Sequence, residues 1–120
     1  MFFSWADAPV TPIIEGFRAK ILHSERMTFV RWEIDAGAAL PEHSHPHEQV
    51  AHVFRGRFEL TIDGENRVVG AGESAVIPPN AVHSGRALTD CEIMDAFCPV
   101  REDYRGVPTG DVLRSAATSS

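Results

Sequence analysis

No stretch of the first 100 residues keeps its apolar side chains at helical spacing for three turns, and this narrows the fold more than any other property of the chain. In place of helices come short runs of β-branched and aromatic residues cut by glycine, proline and asparagine. Residues 57–62 show the pattern best: Phe58, Leu60 and Ile62 alternate with Glu59 and Thr61, so one face is buried, and Asp63-Gly64 then supplies a hairpin turn. Further strands are predicted over residues 17–22, 27–34, 50–54, 67–69, 74–77, 82–83 and 92–97, with Gly56 as a sharp bend and Pro78-Pro79-Asn80 as a turn. Strands of this length and spacing close into a sandwich or barrel. The expected class is therefore all-β.

At 120 residues the chain suits one domain with a real core. The expected domain covers residues 1–113, and the small polar segment 114–120 is expected to be a disordered tail. A net charge of −6 argues against a nucleic-acid or anionic-membrane surface. No apolar run approaches the ~18 residues that a membrane span needs. Residues 1–7 lack the basic start and apolar core of a secretory leader. Cys91 and Cys98 lie seven residues apart, on opposite faces of a strand, and are read as reduced thiols in a cytoplasmic protein.

Four of the six histidines, His43, His45, His47 and His52, crowd into ten residues, and His83 follows in a similar apolar setting. Imidazole is the commonest side-chain metal ligand near neutral pH. In an extended strand, His43 and His45 would point to one face and grip one ion. Gln49 has the same parity, although Pro46 argues against an unbroken ladder, so His47 and Glu48 compete with Gln49 for a further ligand position. His52 is read as a packing or interface residue and His23 as a surface one.

These residues sit in a larger pattern. Gly37, five residues, His43-x-His45, three residues, Gln49, six residues and Gly56 form one element. Gly72, five residues, Pro78 and, five positions on, His83 form another. The pair resembles the two motifs of the cupin family over residues 37–87, with Gln49 where most members carry glutamate and Ala87 where the second motif often ends in asparagine. The resemblance implies a single-domain double-stranded β-helix, or jelly-roll barrel. It also implies one divalent metal ion (Ni, Zn, Mn or Fe) held by His43, His45, Gln49 and His83, with no organic cofactor. Such a ligand set is neutral, so the ion keeps its full charge as a Lewis acid.

Beyond the metal motifs, Asp95 and Phe97 share a face of an otherwise apolar strand. A carboxylate among Ile93, Met94 and Ala96 is costly unless it pairs or works. Arg101 follows Pro99 closely enough to reach back over the same opening, and its planar fork suits a carboxylate. Competing structural readings are a buried carboxylate held by backbone amides, and a solvated cluster of Arg101 with Glu102 and Asp103. Arg55 and Arg57 are assigned to a solvated or dimer-facing surface, and Trp5 and Trp32 to packing.

With its start at Met1-Phe2-Phe3, its run from His43 to Gln49, Ile77-Pro78-Pro79-Asn80 and residues 99–104, the chain is similar to the KdgF-type pectin-degradation proteins over residues 1–104. His52 and the basic stretch Arg55-Gly56-Arg57 depart from that group. The resemblance implies linearisation of 4,5-unsaturated monouronates to open-chain keto forms in pectin or alginate breakdown. Asp95 and Arg101 would then be catalytic, and Phe97 and Arg101 would bind a small anionic sugar. A homodimer is expected, with residues 1–5 adding a strand to a neighbouring protomer. Two other functions fit the same residues: a small metal-dependent dioxygenase, and a sugar- or metabolite-binding module without catalysis.

Overall fold

The structure, a computed structural model, describes residues 2–105. Among them run ten strands: β1 (Thr11–Ile14), β2 (Phe17–His23), β3 (Thr28–Ile34), β4 (Ala39–His43), β5 (Glu48–Arg55), β6 (Arg57–Ile62), β7 (Glu65–Gly70), β8 (Ser74–Ile77), β9 (His83–Ala87) and β10 (Cys91–Cys98). A 3-10 turn, Glu102–Tyr104, follows them. All pairings are antiparallel, in a six-stranded sheet ordered β1-β2-β3-β10-β5-β8 and a four-stranded sheet ordered β4-β9-β6-β7. The chain is an all-β barrel of two antiparallel sheets. No helix among the described residues is long and apolar enough to cross a membrane.

Alternation decides which side chains enter the barrel. On β3, Thr28, Val30, Trp32 and Ile34 are buried, and they stand opposite Phe97, Asp95, Ile93 and Cys91 of β10. On the other flank of β10, Phe97 pairs with Gln49 and Asp95 with Ala51 of β5. The smaller sheet contributes Phe58, Leu60, Val69 and Ala87 to the same core. One inward row of the larger sheet thus changes from apolar to polar as it approaches Asp95 and Gln49. That change marks the site.

Two connections depend on backbone conformations that side-chain-bearing residues rarely adopt. Asp63 (φ 47°) and Gly64 (φ 83°) form the two-residue hairpin between β6 and β7. Gly56 (φ 92°) alone joins β5 to β6, and a Cβ there would press on the Asp90 carbonyl oxygen, Thr89 Oγ1 at 2.8 Å and Cys91 Sγ at 2.9 Å. Gly56→Ala is therefore expected to destabilise the fold by roughly 1–3 kcal/mol, read as a lower urea midpoint with an unchanged slope. A midpoint equal to the wild type's would contradict it.

The strands differ from the sequence reading at identifiable places. β1 and β4 were not expected, because Pro12 and Pro41 interrupt their patterns; both lie at sheet edges, where a missing N–H costs no ladder bond. β9 begins at His83 and runs on through Ser84, Gly85 and Arg86, leaving Val82 outside it. β4 ends at His43, so His43 and His45 do not share a strand. Residues 44–47 form the corner that carries the chain from the smaller sheet to the larger. Within residues 1–5, Trp5 enters a turn, accepts a hydrogen bond from Lys20 Nζ (2.6 Å) at its carbonyl oxygen and lies against Phe3. His23 is half-buried and bonded to Thr28 Oγ1 (2.8 Å), not a free surface residue. The expected domain end at residue 113 and the tail 114–120 lie outside the described residues.

Candidate metal centre

Three imidazoles meet inside one end of the barrel. His43 closes β4 and His83 opens β9; the two are register partners with ring centroids 4.2 Å apart. His45 enters from the corner, 5.6 Å from His43 and 4.9 Å from His83 by ring centroid. One ring nitrogen from each of the three lies within 4.8 Å of the others. Gln49 reaches in from β5, with Oε1 3.1 Å from His45 Nε2. Its rivals are placed elsewhere: Glu48 is exposed, and His47 stands edge-on to His45 at 5.5 Å without lining the cavity. His52 lies on the outer side of the sheet, bonded to Ser74 Oγ (2.7 Å).

The backbone fixes the tautomers. Nδ1 of His43, His45 and His83 faces a carbonyl oxygen: Pro41 at 2.9 Å, His47 at 3.1 Å and Ala81 at 2.9 Å respectively. A carbonyl oxygen only accepts, so each Nδ1 carries the proton and each Nε2 keeps its lone pair. Burial, then the charge of Arg101 and the two other imidazoles, lowers His45 to about 4. Burial likewise lowers His83 to about 4, against the Ala81 carbonyl, which acts to raise it. Burial lowers His43 too, so all three rings are neutral near pH 7.

These lone pairs lack hydrogen-bond donors. His83 Nε2 is buried with no partner, and His45 Nε2 faces a second acceptor, Gln49 Oε1. Buried acceptors without donors are costly, and a cation among them relieves both conflicts. Three imidazole nitrogens with one amide oxygen match the donor preferences of a divalent transition ion. The residues present therefore fit such an ion.

Asp95 stands beside this group. Burial pushes its carboxyl up to about 6, against the Gln49 amide, the Trp32 indole N–H and the charge of Arg101, which all act to lower it. Trp32 Nε1 donates to Asp95 Oδ2 at 2.9 Å. Trp32 is a core residue, as expected, but it also orients Asp95. No periodicity in the sequence signals that second role.

Arg101 is only 1% exposed, so the solvated cluster is excluded. Its guanidinium lies over the rings of both Phe97 (4.7 Å) and Tyr104 (4.2 Å), which stand edge to face with each other. Nε and Nη2 donate to Asp103 at 3.0 and 2.7 Å, and the backbone N–H donates to Thr28 Oγ1 at 2.9 Å. Asp103 thus occupies one edge of the fork expected to read a substrate, leaving the Nη1 edge for the cavity. The sequence reading gave Asp103 and Tyr104 no place in the site. Arg101-x-Asp103 across a turn was the available signal.

His43, His45, His83, Gln49, Asp95 and Arg101 line a common cavity of about 60 Å³. That volume takes an ion and a few waters, not a whole sugar, so a larger ligand must present one edge through the mouth.

The comparisons with known proteins agree with this geometry. The Cupin domain family matches residues 30–97. The pectin degradation protein KdgF of Dickeya dadantii is 29% identical over 106 residues, 86% of this chain and 96% of that protein. An RmlC-like cupin from Shewanella frigidimarina superposes with a TM-score of 0.82 at 31% identity, covering 86% of this chain and 94% of that one. KdgF from Halomonas sp. gives 0.81 at 31% identity, covering 86% and 96%. The chain is a member of the cupin family, and its likeness to the KdgF proteins extends well beyond the metal motifs.

Proposed function

We propose that the chain opens 4,5-unsaturated monouronates to their linear keto forms, as a step in pectin or alginate breakdown. The observation that carries this reading is the meeting of Asp95 and Arg101 with the three imidazoles and the Gln49 amide around one small cavity. The similarity to proteins named for pectin degradation supports it.

The reaction is an isomerisation and needs no electron donor or acceptor. A proton leaves the anomeric hydroxyl, the bond from C1 to the ring oxygen breaks, and its electrons pass to that oxygen as an enolate on C5. A proton delivered to C4 then makes a methylene and a C5 ketone. Atoms and charge balance within the sugar.

His43, His45, His83 and Gln49 would hold a divalent ion, which when bound supplies Lewis acidity toward sugar oxygens. Arg101 attracts the carboxylate through its free edge, a local cation in a protein of net charge −6. Asp103 and the two aromatic rings hold that guanidinium still before the sugar arrives. Asp95 takes the hydroxyl proton and returns one to C4; a carboxyl near 6 suits both directions near neutral pH. Phe97, buried against Arg101, forms part of the apolar wall of the cavity.

The test is to mix the protein, loaded with nickel, with 4,5-unsaturated galacturonate and follow the vinylic proton signals by NMR. The signals should decay faster than in buffer, more slowly after chelation, and more slowly with Arg101→Met. Decay at the buffer rate with metal-loaded protein would sink the proposal.

A further inference from the structure

Gln49 presents two chemically different ends in one buried place. Its Oε1 faces His45 Nε2 at 3.1 Å, while Asp95 lines the same cavity beside it. An amide is nearly symmetric in shape, so packing barely distinguishes this orientation from the flipped one. Flipped, the NH₂ would donate to the His45 lone pair and remove the amide oxygen from the metal donor set. For a metal-free site that is the better hydrogen-bond arrangement at His45. Something must oppose it.

Asp95 opposes it. Gln49 pairs with Phe97 across β5 and β10, two residues from Asp95 on the same inward face, so the two side chains are diagonal neighbours. A carboxylate only accepts, and it calls for the NH₂ end of Gln49. Trp32 Nε1 pins the carboxylate by donating to Oδ2 from the far strand, β3. We infer that Asp95 is a positioning residue for the metal centre, acting through Gln49 to keep the amide oxygen turned toward the imidazoles. This rests on the metal-site reading and not on the sugar chemistry.

The inference separates Asp95→Asn from a simple loss of an acid–base group. Asparagine has one accepting and one donating end. Trp32 N–H takes the accepting end, so the NH₂ of asparagine faces Gln49, which must turn its oxygen there and its NH₂ to His45. All partners are then satisfied with the metal donor set broken.

The experiment is a double-mutant cycle read by calorimetric titration of Ni²⁺ into metal-stripped protein at pH 7.5. Asp95→Asn and Gln49→Ala should each weaken nickel binding by roughly 10–100-fold, as loss of an orienting partner or a weak ligand does. The double variant should bind no more weakly than Gln49→Ala alone, because Asp95 has nothing left to orient. A plain attraction between Asp95 and the cation would survive without Gln49, and the two losses would multiply. Multiplying losses, or unchanged affinity in Asp95→Asn, overturns the inference. Gln49→Leu replaces Gln49→Ala if the alanine variant fails to fold. A wild type that takes up no Ni²⁺ overturns the metal-site reading and this inference together, whereas multiplying losses overturn only the inference.

Discussion

Replacing His83 by leucine is expected to cut the metal-dependent rise in melting temperature to roughly a third while leaving the metal-free protein within a few degrees of the wild type. His83 Nε2 is a buried acceptor with no partner, which costs about 1–3 kcal/mol in the metal-free fold. Leucine fills a similar volume and removes that atom. The change also gives up the bond from Nδ1 to the Ala81 carbonyl, worth about 1 kcal/mol, so the two effects roughly offset. With metal the balance differs. Divalent ion at 1,000 times its dissociation constant should stabilise the wild type by about 4 kcal/mol. A site whose ~10–16 kcal/mol is shared among four ligands loses on the order of 100-fold in affinity when one is removed. Differential scanning of chelator-treated protein, with and without nickel, reads both effects. A merely structural His83 would give the reverse pattern: a large loss without metal and an unchanged response to it.

Asp95→Asn is expected to lower turnover of the unsaturated uronate by about 10²–10⁴-fold even when nickel saturates the variant. The substitution keeps the shape of the side chain and an acceptor for Trp32 Nε1, so the fold should survive. It cannot carry a proton between oxygen and carbon. Saturating nickel overcomes the weaker binding inferred for this variant, and what remains is the loss in the proton step. Initial rates of vinylic signal decay by NMR, taken at nickel concentrations far above each dissociation constant, measure that remainder. A rate within a few-fold of the wild type would confine Asp95 to orienting Gln49 and place the proton transfer elsewhere.

The all-β class was legible because alternation on residues such as Phe58, Leu60 and Ile62 records a buried face directly, and Asp63-Gly64 records its turn. His43, His45 and His83 were legible through spacing, which counts the residues from a sheet edge across a corner and back. The geometric reason offered for His43 and His45 was mistaken: a corner at residues 44–47, not strand parity, brings the two rings together. β1 and β4 were hidden because proline erases a strand's local signature while an edge still tolerates it. The bond from Trp32 to Asp95 joins residues 63 apart in the chain, and the packing of Arg101 against Phe97 and Tyr104 depends on how the segment after β10 folds back. Contacts of that kind leave no period in a sequence. They are also what distinguishes this site from a bare set of metal ligands.

Crystals of the protein soaked in nickel, with anomalous diffraction recorded at the metal's absorption edge, test the account at its centre. The result expected is one dominant peak about 2.0–2.2 Å from Nε2 of His43, His45 and His83, with Gln49 Oε1 turned toward it. A dominant peak on His47, Glu48 or His52, or no peak among the three imidazoles, would contradict it.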